Sequence, residues 1–439
     1  MRFSIKNLSN SKVVTLGAAF ALVLGAAVVS AAPKGDDEPL LDSTLLQALI
    51  DIAQPGQEIV PPPGRYKSHL KITKPIVFDG KGKVTLDGEG KESVLWVMAD
   101  GATVRNFHIV NSGASHAQQD AGVQIRGKHN IVEDNLIENT LFGFSLEMAE
   151  YNTVRRNTVI GKNIDLGRRG DGIKLWYSHH NLVENNEFQR GRDIVFWYST
   201  HNRFIGNRQS GGRYGLHLMQ AQYNIAENNQ FFDNSTGISM MYDTGDEIRN
   251  NVIAKAIGAA GTCLSLKESS DVVIEGNDIL YCSSGISIDV APYEPDSKNK
   301  IANNRIAYND IAVAFLNDWK DNEFTGNLFT GNITEVGVYG GGSAKRNVWD
   351  GNRWEDYQGF DTNKDGVGDK PYRLYTYAGR VWMDVPNTRF FKGTPLLEVL
   401  DFLDRLAPFS EPVLMLEDKH PLLGADHKIR AGSKLEPKS

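Results

Sequence analysis

The chain has 439 residues, of which 41% are hydrophobic, and this composition predicts a folded protein with a substantial core rather than a disordered chain. Its 47 basic and 54 acidic residues give a net charge of −7, which argues against nucleic acid as a partner because nucleic-acid-binding proteins present a basic surface. The 43 glycines indicate a chain with many tight turns.

An export signal is predicted at residues 1–32. Lys6 and Lys12 precede an apolar run from Val13 to Val29, and the small residues Ser30, Ala31 and Ala32 close the segment. This order is typical of a Sec-type signal peptide, so we expect the mature protein in the periplasm. The apolar run is long enough that an uncleaved membrane anchor is the competing interpretation.

A repeated phrase, Asn-x-apolar-x-x-Asn, organises the following chain. Its second Asn recurs every 21 to 29 residues, at Asn135, Asn157, Asn186, Asn207, Asn229, Asn251, Asn277, Asn304, Asn327 and Asn352. Period-two stretches such as "GIKL" and "GLHL" lie between these positions and are too short for helices. The pattern predicts an all-β fold, a right-handed parallel β-helix of about 10–12 coils of about 22 residues across residues 42–352.

The repeated Asn residues have a structural explanation. Asn tolerates the left-handed backbone of a sharp corner, and its amide can hydrogen-bond to the Asn of the next coil in a ladder. We therefore expect the Asn residues to hold the coils together and to carry no chemistry.

Helices are predicted at both ends of the repeat. Asp42–Ile52 fits a short amphipathic helix that caps the open end of the rod, with Asp42 or Ser43 as its N-cap. A C-terminal extension, residues 353–425, contains a helix signal at Thr394–Phe409 that begins with Thr-Pro and carries a leucine stripe. Residues 426–439 are predicted to be a disordered tail.

Alignment of the coils by their turn Asn predicts an outward row of residues: Glu147, Trp176, Trp197, Met219, Met241 and Lys267. His217 lies two residues before Met219 and therefore on the same face of its strand. One imidazole and two thioethers suit Cu(I), so His217, Met219 and Met241 are a candidate copper site. Trp176 and Trp197 border this site, and the same row also fits an apolar docking surface.

A second row of rings precedes the turns: His129, Tyr151, His180, His201 and Tyr223. His180 and His201 are one coil apart, so they either share a metal ion or belong to an aromatic stack on an interaction surface.

A polar cluster, Asp171, Arg192 and Arg213, lies ahead of the strands that carry the Trp and Met residues. Lyases and epimerases built on β-helices use such groups to stabilise a deprotonated sugar carbon. The structural alternative is Arg–Asp pairing along the stack.

The segment "DTNKDGVGD" is a candidate calcium loop. Oxygen ligands on alternate residues around Gly366 are the means by which a short loop binds Ca²⁺. The predicted ligands are Asp361, Asn363, Asp365, the carbonyl of Val367, and Asp369. Tyr372 stands where an EF-hand has its bidentate Glu, and the alternative is a simple acidic turn.

The only cysteines, Cys263 and Cys282, are separated by close to one repeat. Neighbouring positions on adjacent coils would allow a disulfide in an oxidising compartment, or two small buried thiols.

The segment "NRWEDYQGFDTNKDGVGDKPY" resembles the closing motif of periplasmic repeat proteins of the NosD family. The segments "GDGIKLWYS", "GRDIVFWYSTHN", "RYGLHLM" and "GISMMYD" resemble successive coils of that family. The segments "GTPLLEVLDFLDRLAPF" and "DKHPLL" resemble its C-terminus. The similarity runs from about Leu45 to Leu423, with one departure at Gln220, where the family often has Tyr.

The resemblance implies a maturation factor for nitrous oxide reductase. Such a protein works with an ABC-type transporter, a permease and its ATPase, in assembly of the copper–sulfide centre, and is not itself an enzyme. The resemblance assigns no copper ligands. Two alternatives are a polysaccharide lyase or uronan epimerase, and a surface carbohydrate-binding or adhesion protein.

Overall fold

Each coil contains three short strands, and the strands stack from coil to coil into three long parallel faces. The computed structural model describes residues 39–256, 258, 261–376, 380–385, 387–388, 394–406 and 412–424. The predicted signal peptide and the predicted C-terminal tail lie outside these residues.

The first face follows the first Asn of each repeated phrase and has 13 strands: Glu58–Ile59, the start of Val77–Asp87, the start of Thr103–Val110, Ile131–Glu133, Thr153–Arg155, Leu182–Glu184, Arg203–Ile205, Ile225–Glu227, Glu247–Arg249, Val273–Glu275, Asn299–Ala302, Asn322–Thr325 and Val348–Asp350.

The second face has 14 strands: Leu40–Leu41, Gly64–Lys67, the ends of Val77–Asp87 and Thr103–Val110, Leu136–Thr140, Thr158–Gly161, Glu187–Gln189, Arg208–Ser210, Gln230–Phe232, Val252–Ala254, Asp278–Leu280, Arg305–Ala307, Leu328–Thr330 and Arg353–Trp354.

The third face has 12 strands: Leu70–Ile72, Leu95–Val97, Ala121–Ile125, Phe142–Glu147, Ile173–Trp176, Asp193–Trp197, Tyr214–Met219, Thr236–Met241, Thr262–Lys267, Ser284–Asp289, Ile311–Phe315 and Thr334–Val338. The predicted parallel β-helix is confirmed, and it has about 14 turns rather than 10–12. The additional turns lie at the N-terminal end, where Val77–Asp87 and Thr103–Val110 each contribute to two faces and the Asn phrase is absent or incomplete.

Strand alternation explains the core. On the third face, the positions on either side of each outward residue point inward and are almost completely buried, as in Leu216 and Leu218 around His217. Equivalent inward residues stack on neighbouring coils, so that Leu218 lies between Phe196 and Met240. The rod therefore has one continuous apolar core along its length.

Two Asn ladders join the coils. In the second ladder, the Nδ2 of Asn186 donates to the Oδ1 of Asn207 at 3.0 Å and to the carbonyl of Val154 at 2.9 Å. The expected coil-to-coil amide bonding is confirmed. The left-handed backbone, however, belongs to the residue before most ladder Asn residues, such as Asn185 with φ of 55°, because the ladder Asn must turn its side chain into the rod.

Helix α1, Thr44–Ile52, closes the N-terminal end, close to the predicted Asp42–Ile52. The Oδ1 of Asp42 accepts a hydrogen bond from the backbone N–H of Thr44 at 2.6 Å, and Leu46 and Ile50 are buried. The side-chain amide of Gln47 pairs with the backbone of Lys71 at the edge of the third face. This pairing satisfies an edge that would otherwise be open.

Aromatic rings close the opposite end of the core. Trp349 stacks on Phe324 at 4.1 Å, and Trp354 stacks on Tyr372 at 4.5 Å. Asp418 ends the second ladder, because its Oδ2 accepts hydrogen bonds from both nitrogens of Asn352.

The extension beyond the last coil contains two antiparallel strands, Tyr372–Thr376 and Val413–Asp418, and the helices α2, Arg380–Asp384, and α3, Pro395–Leu406. The helix predicted at Thr394–Phe409 is therefore present, and residues 407–409 of it lie outside the described part. The described residues contain no helix with the length and apolar character needed to span a membrane.

Two further predictions concern the coils themselves. Cys263 and Cys282 form a disulfide between neighbouring coils, with Cα atoms 5.7 Å apart, which resolves the two alternatives. The long segment 161–172 leaves the coil as an inserted loop with a 3₁₀ turn at Leu166–Arg168, and its Ile164 packs on Leu141 and Phe142.

Candidate copper and docking surface on the third face

The outward row predicted on the third face is present. Trp176 pairs in register with Trp197, Trp197 with Met219, and Met219 with Met241, and the row continues to Lys267. All these side chains are half-buried. The two thioether side chains therefore lie on adjacent strands, where neighbouring residues on one face are about 5 Å apart.

His217 lies beside the two methionines on the same outward surface. Burial lowers the pKa of its imidazole to about 4, so the ring is neutral at physiological pH. Its Nε2 is buried and has no hydrogen-bond partner, while the ring packs against Tyr214 with centroids 4.6 Å apart. A neutral imidazole with an unpartnered nitrogen, next to thioethers, fits the requirements of Cu(I).

Aromatic rings border the N-terminal side of the row. Trp176 and Trp197 meet edge to face at 4.8 Å, and Tyr177 and Tyr198 from the following turns stack at 4.8 Å. Tyr177 is 46% exposed. We call Trp176, Tyr177, Trp197 and Tyr198 the aromatic wall. The wall is a partly exposed aromatic surface, which fits a protein-binding surface.

The second row of rings forms a continuous stack: His129 on Tyr151, Tyr151 on His180, His180 on His201, and His201 on Tyr223, at 4.9 to 5.3 Å. The planes of His180 and His201 are only 27° apart. Lone pairs of histidine lie in the ring plane, so stacked rings do not direct two nitrogens at one ion. The structure places these residues in an aromatic stack beside the wall.

The predicted polar cluster forms ion pairs, with a partner that the sequence analysis missed. Arg192 lies 3.2 Å from Asp171, but Arg213 pairs with Asp193 and contacts it through both Nε and Nη2. Burial raises the pKa of Asp171 to about 7. Asp193 is the first residue of its strand and pairs with Tyr214 on the next strand. This pairing places Asp193 next to Arg213, and it was the signal that could have identified Asp193 as the partner.

The calcium-loop residues are held by hydrogen bonds within the loop. The carboxylate of Asp361 accepts from the backbone N–H groups of Asp365 and Gly366, and Asp369 accepts from Thr362. Across the described residues, His, Cys, Asp and Glu side chains form no group of three or more that could hold a metal ion. Calcium binding here stays a prediction.

Comparison with known proteins agrees with the architecture. The catalytic domain of a GH87 α-1,3-glucanase in complex with nigerose has a TM-score of 0.56, 14% sequence identity, and covers 75% of this chain and 71% of its own. At that identity the likeness concerns the fold alone.

Relatives in sequence are more specific. The family described as "Periplasmic copper-binding protein (NosD)" matches residues 156–359, which include the wall, the row from Trp176 to Lys267, and His180, His201 and Tyr223 of the ring stack. Two proteins named "Probable ABC transporter binding protein NosD", from Pseudomonas aeruginosa and Stutzerimonas stutzeri, are each 25% identical to this chain. The matches cover 82% and 86% of this chain and 86% and 89% of those proteins. Together these matches show that the chain is similar to proteins of the NosD family along most of its length.

Proposed function

We propose that this protein is a periplasmic accessory factor that works with an ABC-type transporter in assembling the copper–sulfide centre of nitrous oxide reductase. The match to the NosD family model, the periplasmic description of that family and the names of the two relatives support the proposal. The observation that carries it is the neutral, unpartnered imidazole of His217 beside two thioethers in register.

In this proposal His217, Met219 and Met241 hold Cu(I) transiently as cargo. Thioethers are soft and uncharged, so the site would release copper more readily than a thiolate site would. The half-buried position of the three side chains limits access of water to the ion. The aromatic wall next to the site would receive nitrous oxide reductase, so that the ion and its acceptor lie on one surface.

The test is a titration of the mature protein with Cu(I) in competition with a chromogenic chelator. Met219→Leu/Met241→Leu removes both thioethers at nearly constant volume, and His217→Ala removes the imidazole. Each change should weaken binding at least tenfold. Met148→Leu is the matched control, because Met148 is 67% exposed in a turn outside the row. Equal affinities in all proteins would refute the site.

The same proposal has a consequence in the cell. A strain that carries His217→Ala should produce nitrous oxide reductase with an incomplete catalytic copper site, while Met148→Leu should support normal N₂O reduction. Complete copper loading in the His217→Ala strain would contradict a copper-carrying role for this residue.

We also propose that the protein has no enzymatic activity on polysaccharides. Arg192 and Arg213, which a lyase or epimerase would direct at a uronate, are both engaged by buried aspartates. Release of unsaturated products from alginate or pectate by the purified chain would contradict this.

A further inference from the structure

The orientation of the Trp197 ring follows from the rings around it. Tyr177 and Tyr198 occupy the same position on successive coils and stack face to face, with centroids 4.8 Å apart and planes 13° apart. Their planes therefore lie roughly perpendicular to the axis of the rod, along which the coils follow one another. The Trp197 plane is only 19° from that of Tyr198, so the two faces of Trp197 also point along the axis.

The two faces of Trp197 meet different neighbours. Trp176 lies on the preceding coil and meets Trp197 at 77° with centroids 4.8 Å apart, so its edge rests on one face of Trp197. The other face points toward the following coil, where Met219 pairs with Trp197 in register. Trp197 is thus the ring of the aromatic wall that lies next to the candidate copper residues, His217, Met219 and Met241.

Packing does not explain why this residue is a tryptophan. The Nε1 of Trp197 is buried and has no hydrogen-bond partner. Burial of an unpartnered N–H group costs stability that a phenylalanine at the same position would not cost. Among aromatic side chains, however, tryptophan attracts a cation to its face most strongly. The residue type therefore fits a cation next to the ring better than it fits a purely structural role.

The spacing of the coils allows such a contact. A cation–π attraction acts when the cation lies within about 6 Å of the ring centroid. Strands of adjacent coils are about 4.8 Å apart, so an ion bound by the thioether of Met219 would be within reach of the Trp197 face. His217 lies on the strand of Met219 and Met241 on the strand beyond it, so neither residue stands between Trp197 and Met219.

We infer that the face of Trp197 covers the Cu(I) ion that the candidate copper residues bind. This inference rests on the copper-binding role in the proposed function. The indole attracts the positive charge but offers no lone pair to the ion, so the ion keeps three protein ligands. The ring also excludes water from that side of the ion. A site of this kind favours Cu(I) over Cu(II), which prefers a tetragonal set of nitrogen and oxygen ligands.

The experiment titrates the mature protein with Cu(I) without oxygen, in competition with a chromogenic chelator. Trp197→Phe keeps a ring with a weaker attraction for cations, and Trp197→Leu removes the ring. We expect the affinity to fall by about threefold in the first variant and about tenfold in the second. Trp96→Leu is the matched control and should bind as wild type does. Trp96 is also a half-buried tryptophan of the third face, four strands before that of Trp197.

Spectroscopy distinguishes contact with the ion from packing. Ag(I) has the charge and the soft-ligand preference of Cu(I), and it serves as the probe. Its binding should quench tryptophan fluorescence in wild type and shift part of the indole absorption to longer wavelength. Trp197→Phe should lose the absorption shift, and Trp96→Leu should keep it. A residue that only packs against the site would produce no such signal.

The possible failures differ in what they refute. Equal Cu(I) affinities for wild type, Trp197→Phe and Trp197→Leu would refute the inference and leave the copper site of the proposed function standing. Weaker binding in these variants, without an absorption shift in wild type, would show that Trp197 supports the site by packing alone and would also refute the inference. Failure of wild type to bind either Cu(I) or Ag(I) would refute the copper site together with the inference.

Discussion

Asp246 replaces an Asn in the first Asn ladder and predicts an unusual dependence of stability on pH. Its Oδ1 accepts hydrogen bonds from the backbone N–H and the Nδ2 of Asn224, as a ladder Asn would. The Nδ2 of Asn224 also donates to the carbonyl of Ser199 on the preceding coil, and the equivalent carbonyl for Asp246 is that of Ala221. The Oδ2 of Asp246 is buried without a partner. Only the protonated form of Asp246 can donate a hydrogen bond to the carbonyl of Ala221, as the amide of an Asn would.

The size of the effect follows from the pKa. Burial raises the pKa of Asp246 to about 7, from an ordinary value of 3.8, and the pKa of its neighbour Asp243 is raised by burial and by the charge of Asp246. A shift of about three units corresponds to about 4 kcal/mol. Because the folded pKa is the higher one, this stability is present in full below about pH 4 and is lost progressively as the pH rises through about 7.

The assay is denaturant unfolding of wild type and Asp246→Asn at pH 5 and pH 8. The Asp246 contribution alone should cost the wild type about 3 kcal/mol between these values. Asp246→Asn should remove that loss, because an amide supplies the donor at every pH, and the variant should be the more stable protein at pH 8. Asp233→Asn is the control, because Asp233 is exposed. The reasoning is refuted if wild type and Asp246→Asn lose the same stability from pH 5 to pH 8.

Three further predictions concern stability and ions. Asn207→Ala leaves the N–H of Asn186 and the carbonyl of Val183 buried without partners, so unfolding should require about 4 kcal/mol less, whereas the exposed Asn163→Ala should cost under about 1 kcal/mol. Reduction of the Cys263–Cys282 disulfide should lower the free energy of unfolding by about 3 kcal/mol, measured with and without dithiothreitol; no change would contradict this. Calcium should raise the melting temperature, and Asp361→Ala should abolish that rise; an unchanged melting temperature in calcium would exclude the site.

The sequence was sufficient to predict the architecture because the same repeat determines both the turns and the residues that point inward. A turn Asn every coil, with alternating apolar residues between, fixes which side chains point inward, and so the register of Trp197, Met219 and Met241 could be predicted from spacing alone. The number of turns was underestimated because the corners near Asp79 and Asn106 use other hydrogen bonds than the Asn ladder.

The candidate site was less predictable, because its properties depend on burial. Spacing placed His217 beside Met219, but the lowered pKa of the imidazole comes from the packing around it. The pairing of Arg213 with Asp193 was missed because a bulge between Asp193 and Val195 shifts the register of that strand by one residue.

The second Asn ladder gives the rod a direction. Every side-chain amide in it donates to the coil that follows, so the amide dipoles are aligned and add along the axis, as peptide dipoles do in an α-helix. Partial positive charge therefore accumulates at the last amide, Asn352. The carboxylate of Asp418 lies at that pole, although it comes 66 residues later in the chain. The segment 412–424 thus supplies the negative charge that ends the ladder. A rod lengthened or shortened by one coil would need a carboxylate at its new last Asn.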